Sequence, residues 1–274
     1  MEINKYIANE NATFNKDLDT FLNKFKSNTK LSKVMCYSLK NGGKRLRPLI
    51  IKEVSQSLNL RKSQYIRSMI AIELVHSYSL IHDDLPCMDD DDYRRGRLST
   101  HKKYDEAQAI LAGNSLLTMA FNLLSQDSNQ LLVKLLSDLS GYEGLAGGQS
   151  LDIDTSKKKL NYNLIDKIHD LKTAKLFEFC TAAPFIISNK SQQEVKISRR
   201  YGKIIGKVFQ IIDDIHDYEN KSNELINILN IITKDEALKI CHDYELEADI
   251  FRNKIIPNKE NRLKDILSFI INRK

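Results

Sequence analysis

Apolar residues recur three and four apart through nearly every segment of this chain, and that spacing leaves little room for a sheet. Leu116, Leu117, Ala120, Leu123 and Leu124 form one stripe, and Leu131, Leu132, Leu135, Leu136 and Leu139 form the next. Residues so spaced share one face of an α-helix. No period-two alternation is sustained, and only 10 glycines and 4 prolines punctuate 274 residues, too few to turn many short strands. The predicted fold is all-α. No low-complexity linker or clear repeat divides the chain, so residues 1–274 read as a single domain. Lys157-Lys158-Lys159 and the stretch Ser188 to Gln193 read as loops between helices.

Two aspartate clusters carry the chemistry. The first is Asp83-Asp84-Leu85-Pro86-Cys87-Met88-Asp89, extended by Asp90, Asp91 and Asp92 and followed by Arg94, Arg95 and Arg97. The second is Asp213-Asp214-Ile215-His216-Asp217, behind the apolar run Val208 to Ile212. Crowded carboxylates repel one another and need cations, and hard all-oxygen sites suit Mg²⁺. Magnesium held by few carboxylates keeps positions that phosphate oxygens fill, while the arginines add bidentate phosphate donors. A solvated acidic loop would explain one such run. The second run lies in apolar sequence, where an unpaired carboxylate is costly to bury. Asp213 and Asp217, four apart, share a helix face. A diphosphate-handling metal site is the stronger reading.

Other features exclude alternatives. Net charge of +6 is spread along the chain, giving mild attraction to anions without any nucleic-acid-binding module. Cys36, Cys87, Cys180 and Cys241 lack paired spacing, which suits reduced thiols in a cytoplasm rather than a disulfide frame or zinc site. The segment Met1 to Asp19 is acidic without an apolar core, unlike a signal peptide. No stretch approaches the ~18 apolar residues of a membrane span.

Outward from the first cluster, the sequence resembles the trans-isoprenyl diphosphate synthases, most closely the bacterial-type farnesyl diphosphate synthases. The matching pieces are Gly42-Gly43-Lys44-Arg45-Leu46-Arg47-Pro48, Glu73 to Asp84, Asp89 to Arg97, Gly147-Gly148-Gln149, Lys172-Thr173 and Gly206 to Asp214. The resemblance implies an all-α bundle around a deep central cavity, with a homodimer as the expected assembly. It implies that isopentenyl diphosphate condenses with dimethylallyl or geranyl diphosphate, with Mg²⁺, three ions when substrate is bound, neutralising the allylic diphosphate. Asp83, Asp89 and Asp213 match the family's metal ligands, joined by Asp217 on the face of Asp213, and Asp84 supports them. Arg94 falls at the allylic diphosphate. Lys44, Arg47, His76 and Arg95 fall at the isopentenyl diphosphate. Lys172, Thr173 and Gln210 match allylic-side groups, the lysine handling charge and the polar oxygens facing the cation. Arg97, Asp90, Asp91 and Asp92 fit the pattern too, and most of these aspartates are expected to orient the metal ligands or order the loop.

Bulk just before the first Asp motif sets product length in this family. Ser79 lies four residues before Asp83 and Tyr78 five, about one and a half turns deeper. Tyr78 is the expected floor under the growing chain, the farnesyl-type pattern. Geranyl or geranylgeranyl diphosphate synthesis is the nearest alternative. A terpene cyclase needs no isopentenyl pocket, which Lys44, Arg47, His76 and Arg95 argue for, and a non-catalytic partner subunit is the remaining option. One departure stands out: after Asp217, Tyr218 to Asn223 runs almost directly into a helical pattern, Glu224 to Leu229. Roughly a dozen residues of the family's phosphate-closing loop are missing at that point, and Lys221 is the candidate to replace one lost donor.

Overall fold

The computed structural model describes residues 2–25, 29–40, 42–127, 129–155, 160–220, 226–256 and 261–273. Among them the fold is all-α apart from one two-stranded ribbon. The chain forms two compact units, one made of residues 1–49 and 66–130 and the other of residues 50–65 and 131–274. Helices α3 (Leu46–Ser57) and α4 (Lys62–Asp83) each contribute residues to both units.

In the first unit, α1 (Ile3–Phe25) buries Ile7, Phe14, Leu18, Phe21 and Leu22, a stripe at helical spacing. Helix α2 (Lys30–Leu39) starts at Thr29, whose side chain accepts from the Ser32 amide, and packs on α6 (Glu106–Ser125). Between α4 and α6 lie β1 (Tyr93–Arg94), β2 (Arg97–Leu98) and the single-turn α5 (Thr100–Lys103). The strands pair antiparallel, Tyr93 with Leu98 and Arg94 with Arg97. Their two-residue connection, Arg95-Gly96, has positive φ at both positions, the tight turn that matches strand twist. Sequence periodicity misses a ribbon this short.

Helix α6 also corrects the hydropathy reading. By length and composition alone it reaches what a membrane crossing requires. Its buried residues, including Ala109, Ala112, Gly113, Leu116, Ala120, Leu123 and Leu124, have the spacing of a core-facing stripe.

In the second unit, α7 (Gln130–Ser140) and α8 (Leu145–Thr155) are followed by one continuous helical run. It begins as α9 (Tyr162–Ile168), widens to a π-helix over His169–Ala174, and continues as α10 (Lys175–Ile187). Helix α11 (Gln192–Glu219) begins with a capping box between Ser191 and Glu194. It packs on α10, α12 (Lys234–Ile255), α13 (Leu263–Asn272) and the π-helix. The expected loop from Ser188 to Gln193 is found at residues 188–191, whereas Lys157-Lys158-Lys159 lies outside the described residues.

Glycine sets how closely these helices approach. A Cβ at Gly206 of α11 would sit 2.4 Å from the Ala174 backbone, and one at Gly148 of α8 would sit 2.4 Å from the Lys172 nitrogen. Only a residue without a side chain allows the π-helix to lie against both neighbours. Phe177, Phe179, Phe185 and Tyr201 fill the adjoining core.

Candidate active site

Helix α4 ends at Asp83, and the chain then wraps back on itself. The Asp89 amide donates to Asp83 O at 2.9 Å, and the Asp90 amide to Leu85 O at 3.1 Å. The Asp83 side chain is half-buried and that of Asp89 exposed. Asp84 turns the other way and is only 3% exposed. Its Oδ1 accepts from Arg94 Nε at 2.8 Å and Nη2 at 2.5 Å, and Asp91 takes the same Nη2 at 2.7 Å. Burial pushes the Asp84 carboxyl above its ordinary range, and Arg94 opposes that rise. The adjacent carboxylates thus differ in exposure because one residue along a helix is a turn of about 100°.

A basic cluster lies on the same unit. Arg47 Nη1 approaches His76 Nε2 at 3.4 Å. Arg95, at the ribbon's tip, reaches back to donate to Gly42 O at 2.6 Å. Gly43 has φ +112°, a conformation that L side chains rarely adopt, which accounts for glycine there. Burial drives the His76 pKa well below 6.5, and Arg47, Arg95, Arg45 and Arg94 push it further down. The imidazole is therefore neutral at pH 7. Arg45 is not part of a solvated basic loop. It is buried, with Nη1 on Glu73 Oε2 at 2.6 Å and Nη2 on Leu39 O at 2.5 Å. That pair anchors the loop carrying exposed Lys44 and half-buried Arg47 to α4.

Tyr78 lies one helical turn before His82, the two rings 5.2 Å apart and edge to face. His82 Nε2 is 3.3 Å from Ile110 O. A Cβ on Gly113 would collide with that imidazole, so α6 wedges His82 beneath the tyrosine. The Ser79 hydroxyl is spent on His76 O at 3.0 Å.

In the second unit the π-helix presents several polar contacts. Lys172 Nζ meets Asp152 Oδ2 at 2.5 Å, Thr173 Oγ1 donates to Gln210 Oε1 at 2.6 Å, and His169 Nε2 lies 3.1 Å from Asp214 Oδ2. Gln210 Nε2 in turn donates to Asp214 Oδ1 at 2.9 Å. The expected allylic-side groups Thr173 and Gln210 are therefore in direct contact. Asp213, the residue before Asp214, is more open and pairs with Arg273 Nη2 at 2.5 Å. Arg273 also donates to Phe209 O at 3.0 Å and lies 4.2 Å over the Phe209 ring. Burial raises the Asp213 carboxyl, Arg273 opposes it, and the half-buried Asp217 adds repulsion.

Asp83, Asp89, Asp213 and Asp217 offer carboxylate oxygens only, the donor chemistry that fits Mg²⁺. The crowding of Asp213 by Asp217 is the repulsion a cation would relieve. A further group, with one donor atom each from Asp90, Asp92 and His101 within 4.8 Å of one another, adds a nitrogen to the set.

Residues 28–241 match the polyprenyl synthetase family model. The chain is 38% identical to the farnesyl diphosphate synthase of Bacillus subtilis, covering 82% of this chain and 78% of that one. It is 35% identical to the farnesyl diphosphate synthase of Micrococcus luteus, covering 96% and 98%. A crystal structure of an FPP/GFPP synthase from Zymomonas mobilis superposes with a TM-score of 0.89 at 30% identity, covering 98% of this chain and 100% of that one. The chain belongs to the polyprenyl synthetase family. The Micrococcus alignment runs over 287 residues against 274 here, so that family member carries residues this chain lacks.

Sequence reasoning missed several partners. Asp152, the counter-charge of Lys172, lies one helical turn after Gly148 in a motif read for its glycines. Gln149 beside it is buried, and neither polar side-chain atom has a hydrogen-bond partner among the described residues. Arg273, 60 residues from Asp213, left no signal at all. The helical pattern expected over Glu224 to Leu229 is not an α-helix where it is described: Ile228–Asn230 is a single 3₁₀ turn, and α12 starts only at Lys234. Asp214 overrides local propensity there. It accepts from the Ile228 amide at 2.8 Å through Oδ2, and its main-chain oxygen accepts from Asn227 Nδ2 at 2.7 Å. Lys221 lies outside the described residues.

Proposed function

We propose that this chain is a farnesyl diphosphate synthase, joining isopentenyl diphosphate to dimethylallyl or geranyl diphosphate to give the C15 product. The observation that carries the reading is its likeness to farnesyl diphosphate synthases along almost its whole length, with the expected residues falling into one basic and two acidic groups. Asp83, Asp89, Asp213 and Asp217 would hold magnesium, three ions in the loaded enzyme, with Asp84 setting the first cluster in place. Bound there, magnesium supplies charge neutralisation that makes diphosphate a leaving group.

The chain's own residues do the rest. Arg94 and Lys172 stand ready to exchange their carboxylate partners for the allylic diphosphate. Lys44, Arg47, Arg95 and neutral His76 bind the isopentenyl diphosphate. The Thr173 hydroxyl and Gln210 carbonyl turn dipoles toward positive charge developing on the allyl group. Tyr78, with Ser79 beside it, closes the pocket at C15. No side chain is assigned as base; the departing pyrophosphate takes the proton. We take residues 1–274 as one synthase domain, working as a cytoplasmic homodimer.

Incubation of the purified chain with isopentenyl diphosphate and each allylic primer, with products sized by chromatography, tests this directly. A magnesium-dependent C15 product supports the reading. Cyclised hydrocarbon formed without consumption of isopentenyl diphosphate, or no consumption of it with any primer, overturns it.

A further inference from the structure

The aspartates beyond Asp89 have a partner that the proposed prenyl-transfer chemistry does not use. His101, at the start of α5, is only 7% exposed. Its Nδ1 lies 3.2 Å from Ser99 Oγ, while its Nε2 is buried without a hydrogen-bond partner among the described residues. Buried polar atoms seldom go unsatisfied, and each one calls for an explanation. A ring nitrogen of His101 and one oxygen from each of Asp90 and Asp92 lie within 4.8 Å of one another. Donors bonded tetrahedrally to one ion at about 2.0–2.2 Å lie about 3.3–3.6 Å apart, so the exposed aspartate side chains close by roughly 1 Å to complete the set. An imidazole held at Nδ1 by a hydroxyl, with its Nε2 bare, is oriented as a metal-bound histidine is.

We propose that Asp90, Asp92 and His101 form a divalent-cation site of their own, taking a borderline transition-series ion of the Mn²⁺, Co²⁺ or Zn²⁺ class. A mixed nitrogen and oxygen donor set favours such ions over Mg²⁺, which prefers oxygen alone. The position gives the site a purpose. Asp90 and Asp92 precede strand β1 and His101 follows strand β2, so an ion bound to all three clips the base of the ribbon that carries Arg94 and Arg95. The Ser99 amide already bridges that base to Asp92 O at 2.9 Å. The competing cation is Lys102, 2.7 Å from Asp92 in an exposed pair, an arrangement that holds weakly.

Titration of the metal-free full chain with Co²⁺, in a large excess of Mg²⁺ and read by visible d–d absorption, tests the site. The expected result is one saturable equivalent that magnesium does not displace. His101→Gln, Asp90→Asn and Asp92→Asn should each weaken Co²⁺ by at least about 10-fold, the effect that loss of a mere supporting group already has. Asp83→Asn should leave it unchanged. The two exposed aspartates keep the test usable if the His101 variant fails to fold. Absence of magnesium-resistant binding, retention of wild-type affinity in both Asp variants, or equal loss in Asp83→Asn each overturns the proposal. The optical readout is independent of prenyl transfer, so a chain that binds Co²⁺ as expected but makes no prenyl product would count against the proposed function alone.

Discussion

The same dipeptide, Asp-Asp, is solved twice with different chemistry. In both units the first carboxylate is the more open and the second is buried, because neighbours on a helix point about 100° apart. Asp84 is compensated by a charge, the Arg94 guanidinium, itself about one-third exposed. Asp214 is 1% exposed and is held by the Gln210 amide and the Ile228 main chain. One buried aspartate therefore ties down the guanidinium proposed to meet the allylic diphosphate. The other fixes where the chain goes after its longest described helix. A repeated motif does not imply a repeated support.

Four predictions break or sharpen that contrast. The largest effect belongs to the open members of each pair. Asp83→Ala and Asp213→Ala should each lower magnesium-dependent turnover by about 10³-fold, the scale of losing a key electrostatic group. The melting temperature should be nearly unchanged for Asp83→Ala and lowered for Asp213→Ala, which strands the buried Arg273 guanidinium. If either variant turns over near normally, its assignment to the metal fails. The buried members should reverse the pattern. Asp214→Ala strands several donors and should cost about 3 kcal/mol in thermal or denaturant unfolding. Asp84→Ala, whose partner can reach water, should cost about 1 kcal/mol. Added salt should weaken the wild-type contribution of Asp84 and spare that of Asp214; equal costs with equal salt dependence would erase the contrast.

A smaller effect concerns what α4 carries between its ends. If the Tyr78 ring is the floor, Tyr78→Ala gives room for another isoprene unit, favoured by about 25 cal/mol per Å² of newly covered apolar surface. Chromatography should then show C20 or longer products with an unchanged magnesium requirement. Products that still stop at C15 would place the floor elsewhere. The smallest expected effect is the pH response of His76, whose folded pKa is depressed. The unfolded imidazole gains a proton near pH 6.5 while the folded one does not. Stability should fall as pH drops below about 6.5 and level off below the folded pKa. His76→Gln should remove that share of the slope below about pH 6.5; an identical slope in the variant would mean that other groups set it.

The all-α class was legible because Leu116 to Leu124 and Leu131 to Leu139 show their period directly. Asp83, Asp213, Thr173 and Gln210 stood out because their residue types and order are specific. What stayed hidden depends on closeness in space rather than along the chain. Arg45 resembled its basic neighbours, and only the fold shows it buried on Glu73. Asp152, Arg273 and His101 meet their partners through turns and packing that no periodicity encodes. The ribbon beginning at Tyr93 is too short to alternate, and the segment at Ile228 obeys Asp214 rather than its own apolar spacing.

The wide turn at His169–Ala174 carries a consequence for inheritance. A π-helix is an α-helix holding extra chain within one turn. Deleting one residue inside it would restore the ordinary ladder with both flanks close to their present orientation, and would remove the bulge that sets Lys172 and Thr173 in place. Lys172 and Thr173 could not then both keep Asp152 and Gln210, although the helical run from Tyr162 to Ile187 would remain unbroken. Single-residue deletions here should therefore leave folded descendants that have lost their chemistry, a silent scar that substitutions alone could not repair.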